Sequence, residues 1–456
     1  MIIEQFEDRQ LSHYSYAILN EEEREIILID PSRNTAAYTS FATQHGARIM
    51  GVVETHPHAD FVSSHLELHQ AAGATIYASK LTGAGYPHQA FDENDTIRLG
   101  KINLRALNTP GHSPDSICIV LEQDGKDSAV FTGDTLFIGD CGRPDLREKA
   151  GSLKATRQSL AGQMYHSLRE KLMVLNDEVL VYPAHGAGTL CGKSLSAANS
   201  STIGAEKAGN WCLQPMTEEE FITELLAEQP FIPKYFPYDV ELNKTGAPSL
   251  QESLRKIPMA AWNDSTQVEP QLWIVDTRDQ EKFKAGHLKN SINIMQNGKF
   301  ETWLGSIVQP HEKFYLVAES SSTLQEMMER TASIGYESQI EQAIILQPGA
   351  HIPATAALVT PPLDWKEFKE HEQAFTIVDV RNVPERKEHP IFADSLGIPL
   401  GELRERSGEI PRDKPIAVHC AGGYRSAAAS SLLQSIVKDK IPVFDIGEAI
   451  KTWKLL

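Results

Sequence analysis

Cysteine is scarce in this chain. There are five in 456 residues, Cys118, Cys141, Cys191, Cys212 and Cys420, and no Cys-x-x-Cys pair occurs. An odd, sparse set excludes a disulfide framework of the secreted type and points to a reducing cytoplasm, where a working cysteine acts as a thiol. Long apolar runs are missing too. No stretch approaches the ~20 residues of a membrane span, and Met1-Ile2-Ile3-Glu4-Gln5 lacks the basic segment and apolar core of a secretory signal. Basic runs are absent, and acid outweighs base: Lys plus Arg is 43, Asp plus Glu is 61, and the net charge is −18. Such a surface repels phosphate backbones and anionic lipid, so neither nucleic acid nor membrane is expected as a partner.

What is present is enough chain for two to four domains. The first half alternates short β-rich runs with turn residues: Ile26 to Ile29, Ile49 to Val53, Thr75 to Tyr77, Ile102 to Leu107, Ser116 to Leu121, Ala129 to Thr132 and Val179 to Tyr182. Helical spacing fits Leu66 to Ala72 and Leu153 to Leu175, the latter with Leu160, Met164, Leu168 and Leu172 on one face. From about Ser194 to Ser249 the pattern weakens, and Pro230, Pro233, Pro237 and Pro248 suggest a linker or an edge-packing arm. Two similar units follow. Leu272 to Arg278 and Phe375 to Arg381 are each a buried-type strand ending in Asp-x-Arg, about a hundred residues apart, which indicates a domain-sized repeat. Second strands are expected at Phe314 to Ala318 and Ile416 to His419, as in small α/β domains with parallel sheets.

Four groups of metal-ligating residues stand at expected strand ends, where α/β enzymes gather their sites. They are Thr55-His56-Pro57-His58-Ala59-Asp60, Gly111-His112-Ser113-Pro114-Asp115, Thr132-Gly133-Asp134-Thr135 and Pro183-Ala184-His185-Gly186. This ordered set resembles the metallo-β-lactamase superfamily, over about residues 1 to 240. Phe61 departs from the pattern, because the hydrolases of that superfamily place a metal-binding His there. Without it, one site can be built from His56, His112 and Asp134. Two imidazoles and one carboxylate form a facial triad, which suits one Fe(II) per chain and leaves positions open for O₂ and substrate. His58, Asp60 and His185 then become groups that orient ligands or move protons, or a vestigial second metal site. The Cys141-Gly142-Arg143 turn after the metal Asp resembles the persulfide dioxygenase branch. Arg143 is expected either to bind a carboxylate of a thiol carrier such as glutathione persulfide or to be a surface Arg in a turn. Cys191, six residues after His185, either handles a persulfide sulfur or is an inert buried thiol. Cys118 and Cys141 are expected to be structural.

Near the C-terminus, a strand leads into Cys420-Ala421-Gly422-Gly423-Tyr424-Arg425, and a helix follows Ser426. Inward-turned backbone N–H groups from Ala421 to Tyr424, the helix N-terminus and Arg425 would favour a thiolate at Cys420 and then a persulfide anion. The loop from Cys to Arg is one residue shorter than that of the phosphatases. With the Asp379-Val380-Arg381 strand upstream, it resembles a rhodanese. The middle unit, with Asp276-Thr277-Arg278 and Ala285-Gly286-His287-Leu288, resembles one too. At the loop position it reads Glu319-Ser320-Ser321-Ser322-Thr323, so it has no thiol to carry sulfur.

The expected architecture is therefore an α/β multidomain chain. An αββα metallo-β-lactamase sandwich with a C-terminal arm occupies 1–240. A cysteine-free rhodanese-like domain at 250–355 and an active rhodanese at 360–456 follow, both with parallel sheets. The resemblance implies oxidation of a low-molecular-weight thiol persulfide by O₂ to sulfite and thiol. It also implies sulfane-sulfur transfer among thiosulfate, sulfite and persulfides through Cys420, in a homo-oligomer (dimer or tetramer). The rival enzyme is a dinuclear zinc thioester hydrolase of the glyoxalase II type fused to a rhodanese, against which Phe61 argues.

Overall fold

The structure is a computed structural model and describes residues 1–146, 156–193, 195–263, 265–438 and 440–453. The chain divides into two compact units. One is Met1–Glu252 with Ser333–Gly335; the other is Ser253–Ala332 with the chain from Tyr336 onward. No helix among the described residues is long and apolar enough to cross a membrane.

The first unit is an αββα sandwich. One six-stranded sheet runs, in spatial order, through Ile2–Asp8, His13–Asn20, Glu25–Ile29, Arg48–Val53, Thr75–Ala78 and Gln89–Ala90. The other runs through Ser201–Thr202, Leu180–Pro183, Lys126–Gly133, Ile117–Gln123, Ile102–Asn108 and Thr96–Leu99. The two-residue period of a strand sends neighbouring side chains to opposite faces. Ile27 and Ile29 thus enter the layer between the sheets with Leu104, Ile119 and Phe131, while Ile26 and Leu28 pack outward with Tyr38, Phe41 and Leu68. On the other sheet, Val120 and Val130 face Met164, Leu168, Leu172 and Phe221.

The expected helix at 153–175 is observed from Arg157 to His166 and continues through Ser167–Leu172. Its Leu160, Met164, Leu168 and Leu172 are all buried. Leu153, and Ser194 at the start of the expected arm, lie outside the described residues. The stretch read as weakly patterned is helical at Ile203–Gly209, Glu218–Leu226 and Phe236–Thr245. Phe221 and Leu225 supply one short helical repeat, and the other signals are terminal. Thr217 and Glu220 form a reciprocal capping box, and Pro237 sits in a first turn, where its missing N–H is not needed.

The second unit holds two parallel sheets. The first is ordered Met259–Ala261, Ile340–Ile345, Phe314–Ala318, Trp273–Asp276, Ser291–Asn293. The second is ordered Leu396–Gly397, Thr376–Asp379, Ile416–His419, Val443–Asp445. The Asp-x-Arg repeats are internal locks. Arg278 pairs with Asp276 and donates to the Gly286 carbonyl (3.0 Å). Arg381 pairs with Asp379 and donates to the His389 carbonyl (2.9 Å), the same eight residues ahead.

Candidate metal centre and thiol cradle

His112, Asp134 and His185 follow Ile102–Asn108, Lys126–Gly133 and Leu180–Pro183, strands that run in the same direction, so their C-terminal ends share one edge of that sheet, where His56, after Arg48–Val53 of the other sheet, joins them. The candidate ligand atoms of His56, His112 and Asp134 lie within 4.8 Å of one another, and all three residues are buried. Asp134 Oδ2 is 3.5 Å from His112 Nε2 and 3.9 Å from His56 Nε2. These spacings suit donors that share one ion at roughly 2.0–2.2 Å. Asp134 Oδ2 is buried without a hydrogen-bond partner among the described residues, a costly state for a carboxylate oxygen unless a cation faces it. The donor set therefore fits a divalent transition metal.

The surroundings orient these donors. His112 Nδ1 donates to the Arg143 carbonyl (2.8 Å), which leaves Nε2 as the ligand atom. Thr55 Oγ1 donates to Asp30 Oδ2 (2.8 Å) and lies 3.0 Å from His56 Nδ1, so His56 too presents Nε2 inward. Gly142 allows this approach: a Cβ there would land on the Asp134 carbonyl oxygen and 3.0 Å from His112 Nδ1. His185 Nδ1 donates to Asp134 Oδ1 (2.7 Å), and its Nε2 faces Asp60 Oδ2 (2.9 Å). Burial alone would lower the His185 pKa, but Asp134 and Asp60 hold it well above the usual imidazole value. Burial alone would raise the Asp134 pKa, yet His185, followed by His112 and His56, holds the carboxyl well below the ordinary range.

The remaining expected residues divide. Asp60, His185 and Cys191 form a second buried group within 4.8 Å. Burial first, then Asp60 and Asp134, pushes the Cys191 thiol well up. His58 turns from the triad toward Asp30 Oδ1 (3.2 Å) and groups with Asp30 and Glu54. Arg143 is not the surface Arg of the second alternative. It is 1% exposed, makes a bidentate pair with Asp145 (2.7 and 2.7 Å) and donates to the Leu190 carbonyl. Cys118 is core as expected: burial pushes its thiol up to about 11.

In the second unit, Cys420 directly follows the strand Ile416–His419 at 2% exposure, and the Gly423 N–H donates to its Sγ (3.1 Å). Ala421 and Gly422 are half-buried. Arg425 is bound by both oxygens of Glu385 (2.5 and 2.7 Å), so the positive potential expected from it is partly offset. Tyr424, whose backbone N–H is the expected contribution to the cradle, donates its side-chain hydroxyl to the Met295 carbonyl (2.8 Å).

The sequence profile of the metallo-beta-lactamase superfamily matches residues 9–185, and that of the rhodanese-like domain matches 259–342 and 364–455. The crystal structure of a metallo-beta-lactamase from Staphylococcus aureus subsp. aureus COL is 30% identical, with a TM-score of 0.66. The match covers 76% of this chain and 99% of that one. The chain belongs to the metallo-β-lactamase superfamily. Its metallo-β-lactamase domain is similar to the mitochondrial persulfide dioxygenase ETHE1 of Homo sapiens, 34% identical over 174 residues, 38% of this chain. It is also similar to the cytoplasmic hydroxyacylglutathione hydrolase of Arabidopsis thaliana, 32% identical over 176 residues, again 38% of this chain. The match spans 63% of the length of each of these two relatives.

Around the noted Phe61, sequence reasoning missed His13 and Asn243, which shape the metallo-β-lactamase domain's centre. Phe61, 1% exposed, is sandwiched by His13 and His58, with ring centroids at 3.8 and 4.3 Å. His13 comes from a strand that lacked a visible pattern because every residue of His13–Asn20 is buried. Burial, then His185 and His58, pull the His13 pKa well down. Asn243, on the helix Phe236–Thr245, donates to the His58 and Phe61 carbonyls (2.8 and 2.7 Å) and accepts from Ser63 N (2.8 Å). In the C-terminal rhodanese-like domain the missed residue is Glu385.

Proposed function

We propose that the chain is a bifunctional sulfur enzyme. The metallo-β-lactamase domain is an iron-dependent dioxygenase for a low-molecular-weight thiol persulfide: RSSH + O₂ + H₂O → RSH + SO₃²⁻ + 2H⁺. The C-terminal rhodanese-like domain is a sulfurtransferase, in which the Cys420 thiolate takes the outer sulfur of thiosulfate and releases sulfite. The carrying observation is the Asp134 oxygen that, among the described residues, has no hydrogen bond and lies between two imidazoles, with Phe61 where a second metal would need a ligand. Similarity to persulfide dioxygenase ETHE1 and the rhodanese-like domains support a sulfur substrate.

His56, His112 and Asp134 would hold the iron, which supplies the one-electron steps that O₂ requires and keeps positions open for substrate. His185 fixes the Asp134 carboxylate through its Nδ1–H. His185, Asp60 and Cys191 gather beside the other Asp134 oxygen and are the groups available to hold the persulfide and shift its proton. In the cradle, the Gly423 N–H stabilises charge on the Cys420 sulfur. The rival reading, a dinuclear zinc thioester hydrolase, draws on the hydroxyacylglutathione hydrolases among the relatives. Phe61 cannot ligate a second ion. The deciding experiment is metal analysis of anaerobically purified protein beside an oxygen electrode. About one iron per chain with persulfide-dependent oxygen uptake is expected. Two tightly held zinc ions, thioester hydrolysis and no oxygen uptake would overturn the assignment.

A further inference from the structure

The cysteine-free domain touches the thiol loop of its neighbour at two separate points. Tyr424 opens the helix Tyr424–Val437, directly after the loop glycine whose N–H reaches Cys420 Sγ. Its hydroxyl donates to the Met295 carbonyl (2.8 Å). Its ring lies on Gly298, whose φ of +101° and lack of a side chain both matter: a Cβ there would sit 2.9 Å from Tyr424 Cε2. Within the middle domain, Arg330 ties this turn down by donating to the Gly298 carbonyl (3.3 Å) and pairing with Glu301 (2.6 Å).

The second contact is ionic. Lys284 Nζ lies 3.0 Å from Asp445 Oδ2. Asp445 is buried, and its Oδ1 accepts the Gly447 N–H (2.9 Å). The Gly447–Glu448 turn backs Gly423, since a Cβ on Gly423 would meet Glu448 N at 3.3 Å and Gly447 C at 3.4 Å. A continuous chain of contacts thus runs from Lys284 through Asp445 and Gly447 to Gly423 and the sulfur. Asn293 N also donates to Ser431 Oγ (2.9 Å), on the same helix as Tyr424.

We propose that Lys284 and the Met295–Gly298 turn of the cysteine-free domain are positioning residues for the Cys420 loop, so that this domain forms part of the sulfur-transfer site while carrying no sulfur itself. The proposal rests on the reading of Cys420 as the sulfur carrier. Its physical basis is the Gly423 N–H. A donor held at 3.1 Å from Sγ steadies the charge that develops on the sulfur as it accepts and releases a sulfur atom, and a loop released from its backing loses that alignment. The other ionisable groups near the loop have their own partners: Arg425 pairs with Glu385, Asp379 with Arg381 and Arg386, and Lys451 with Glu448, while His419, directly before Cys420, lies 3.6 Å from Asp379 Oδ2 and is held neutral above pH ~5 by burial.

The test measures alkylation of Cys420 by iodoacetamide as a function of pH in the full-length, metal-loaded protein, read by mass spectrometry on the Cys420 peptide. Lys284→Met and Tyr424→Phe should each raise the pH midpoint of alkylation. Each should also lower kcat for sulfur transfer from thiosulfate about three- to tenfold, the worth of one well-placed hydrogen bond or ion pair. Oxygen uptake with a supplied persulfide, measured on the same samples, should be unchanged. Lys284→Arg should restore the midpoint, and Gly298→Ala, which pushes on the Tyr424 ring, should raise it. An unmoved midpoint in Lys284→Met and Tyr424→Phe overturns the proposal, and so does an equal shift in Lys284→Arg. If the wild type transfers no sulfur from thiosulfate but the midpoint shifts appear, the carrier reading of Cys420 fails and the positioning stands.

Discussion

Gly142 and His419 show how single positions carry the two centres. Gly142 lies against both the Asp134 carbonyl and the His112 ring, so Gly142→Ala is expected to push apart two of the three proposed metal donors. The expected outcome is a protein that folds but retains less than about half of its metal, because misplaced ligands and their partners typically cost 10–100-fold in affinity. Metal content after dialysis checks this, and full retention would show that the loop yields. His419, at the end of the strand carrying Cys420, has its pKa pulled down to about 4 by burial, against the opposing pull of Asp379. Its unfolded value is about 6.5. As pH falls below that value the unfolded chain takes up the proton first, so stability present above pH ~6.5 is lost toward pH ~4, by about 2 kcal/mol at pH 5. Urea unfolding at pH 7 and pH 5 should show this loss in the C-terminal unit. It should be much smaller in His419→Gln.

The elements matter as positioning devices. The helix Phe236–Thr245 lies far from the ligand motifs in sequence, yet its Asn243 satisfies the loop that carries His56, His58 and Asp60 with three hydrogen bonds. Asn243→Ala would leave two carbonyls and one N–H buried without partners. The expected cost is about 2–4 kcal/mol in stability, with weaker metal retention, measured by thermal unfolding of the metal-loaded and metal-free proteins. An Asn243→Ala protein with unchanged melting and metal content would reduce the helix to mere cover. The strand that ends in Asp-x-Arg plays the same part twice in the second unit, where Arg278 and Arg381 each close a turn eight residues ahead. That pattern was legible in the sequence because both partners lie close together along the chain.

At the scale of the whole molecule, the metal centre and the thiol cradle belong to different compact units. Cys420→Ser is expected to abolish sulfur transfer from thiosulfate and to spare oxygen uptake with a supplied persulfide; His112→Ala is expected to do the reverse. Loss of both activities in a folded, iron-loaded Cys420→Ser protein would show that the two sites work only as one. Mass spectrometry after thiosulfate treatment should place added sulfur on Cys420 and none in the middle domain. There, Ser320 Oγ accepts the Thr323 N–H and caps a helix, and a hydroxyl cannot form a persulfide. Sulfur recovered between residues 259 and 342 would contradict this.

The sequence alone determined the features that depend on local spacing. These are the period-two strands, the four ligand groups at strand ends, the Cys420 loop, the missing thiol of the middle unit and the metallo-β-lactamase and rhodanese resemblances. Each is a pattern over a few neighbouring residues, or a list of residue types in order. Only the tertiary structure decided which groups face one another across long separations. It put His185 on Asp134, Asn243 under the ligand loop, Asp145 on Arg143, Glu385 on Arg425 and Lys284 beside Asp445. A buried charge must find a partner wherever the fold supplies one, and that partner follows from how elements pack, which no short stretch of sequence encodes.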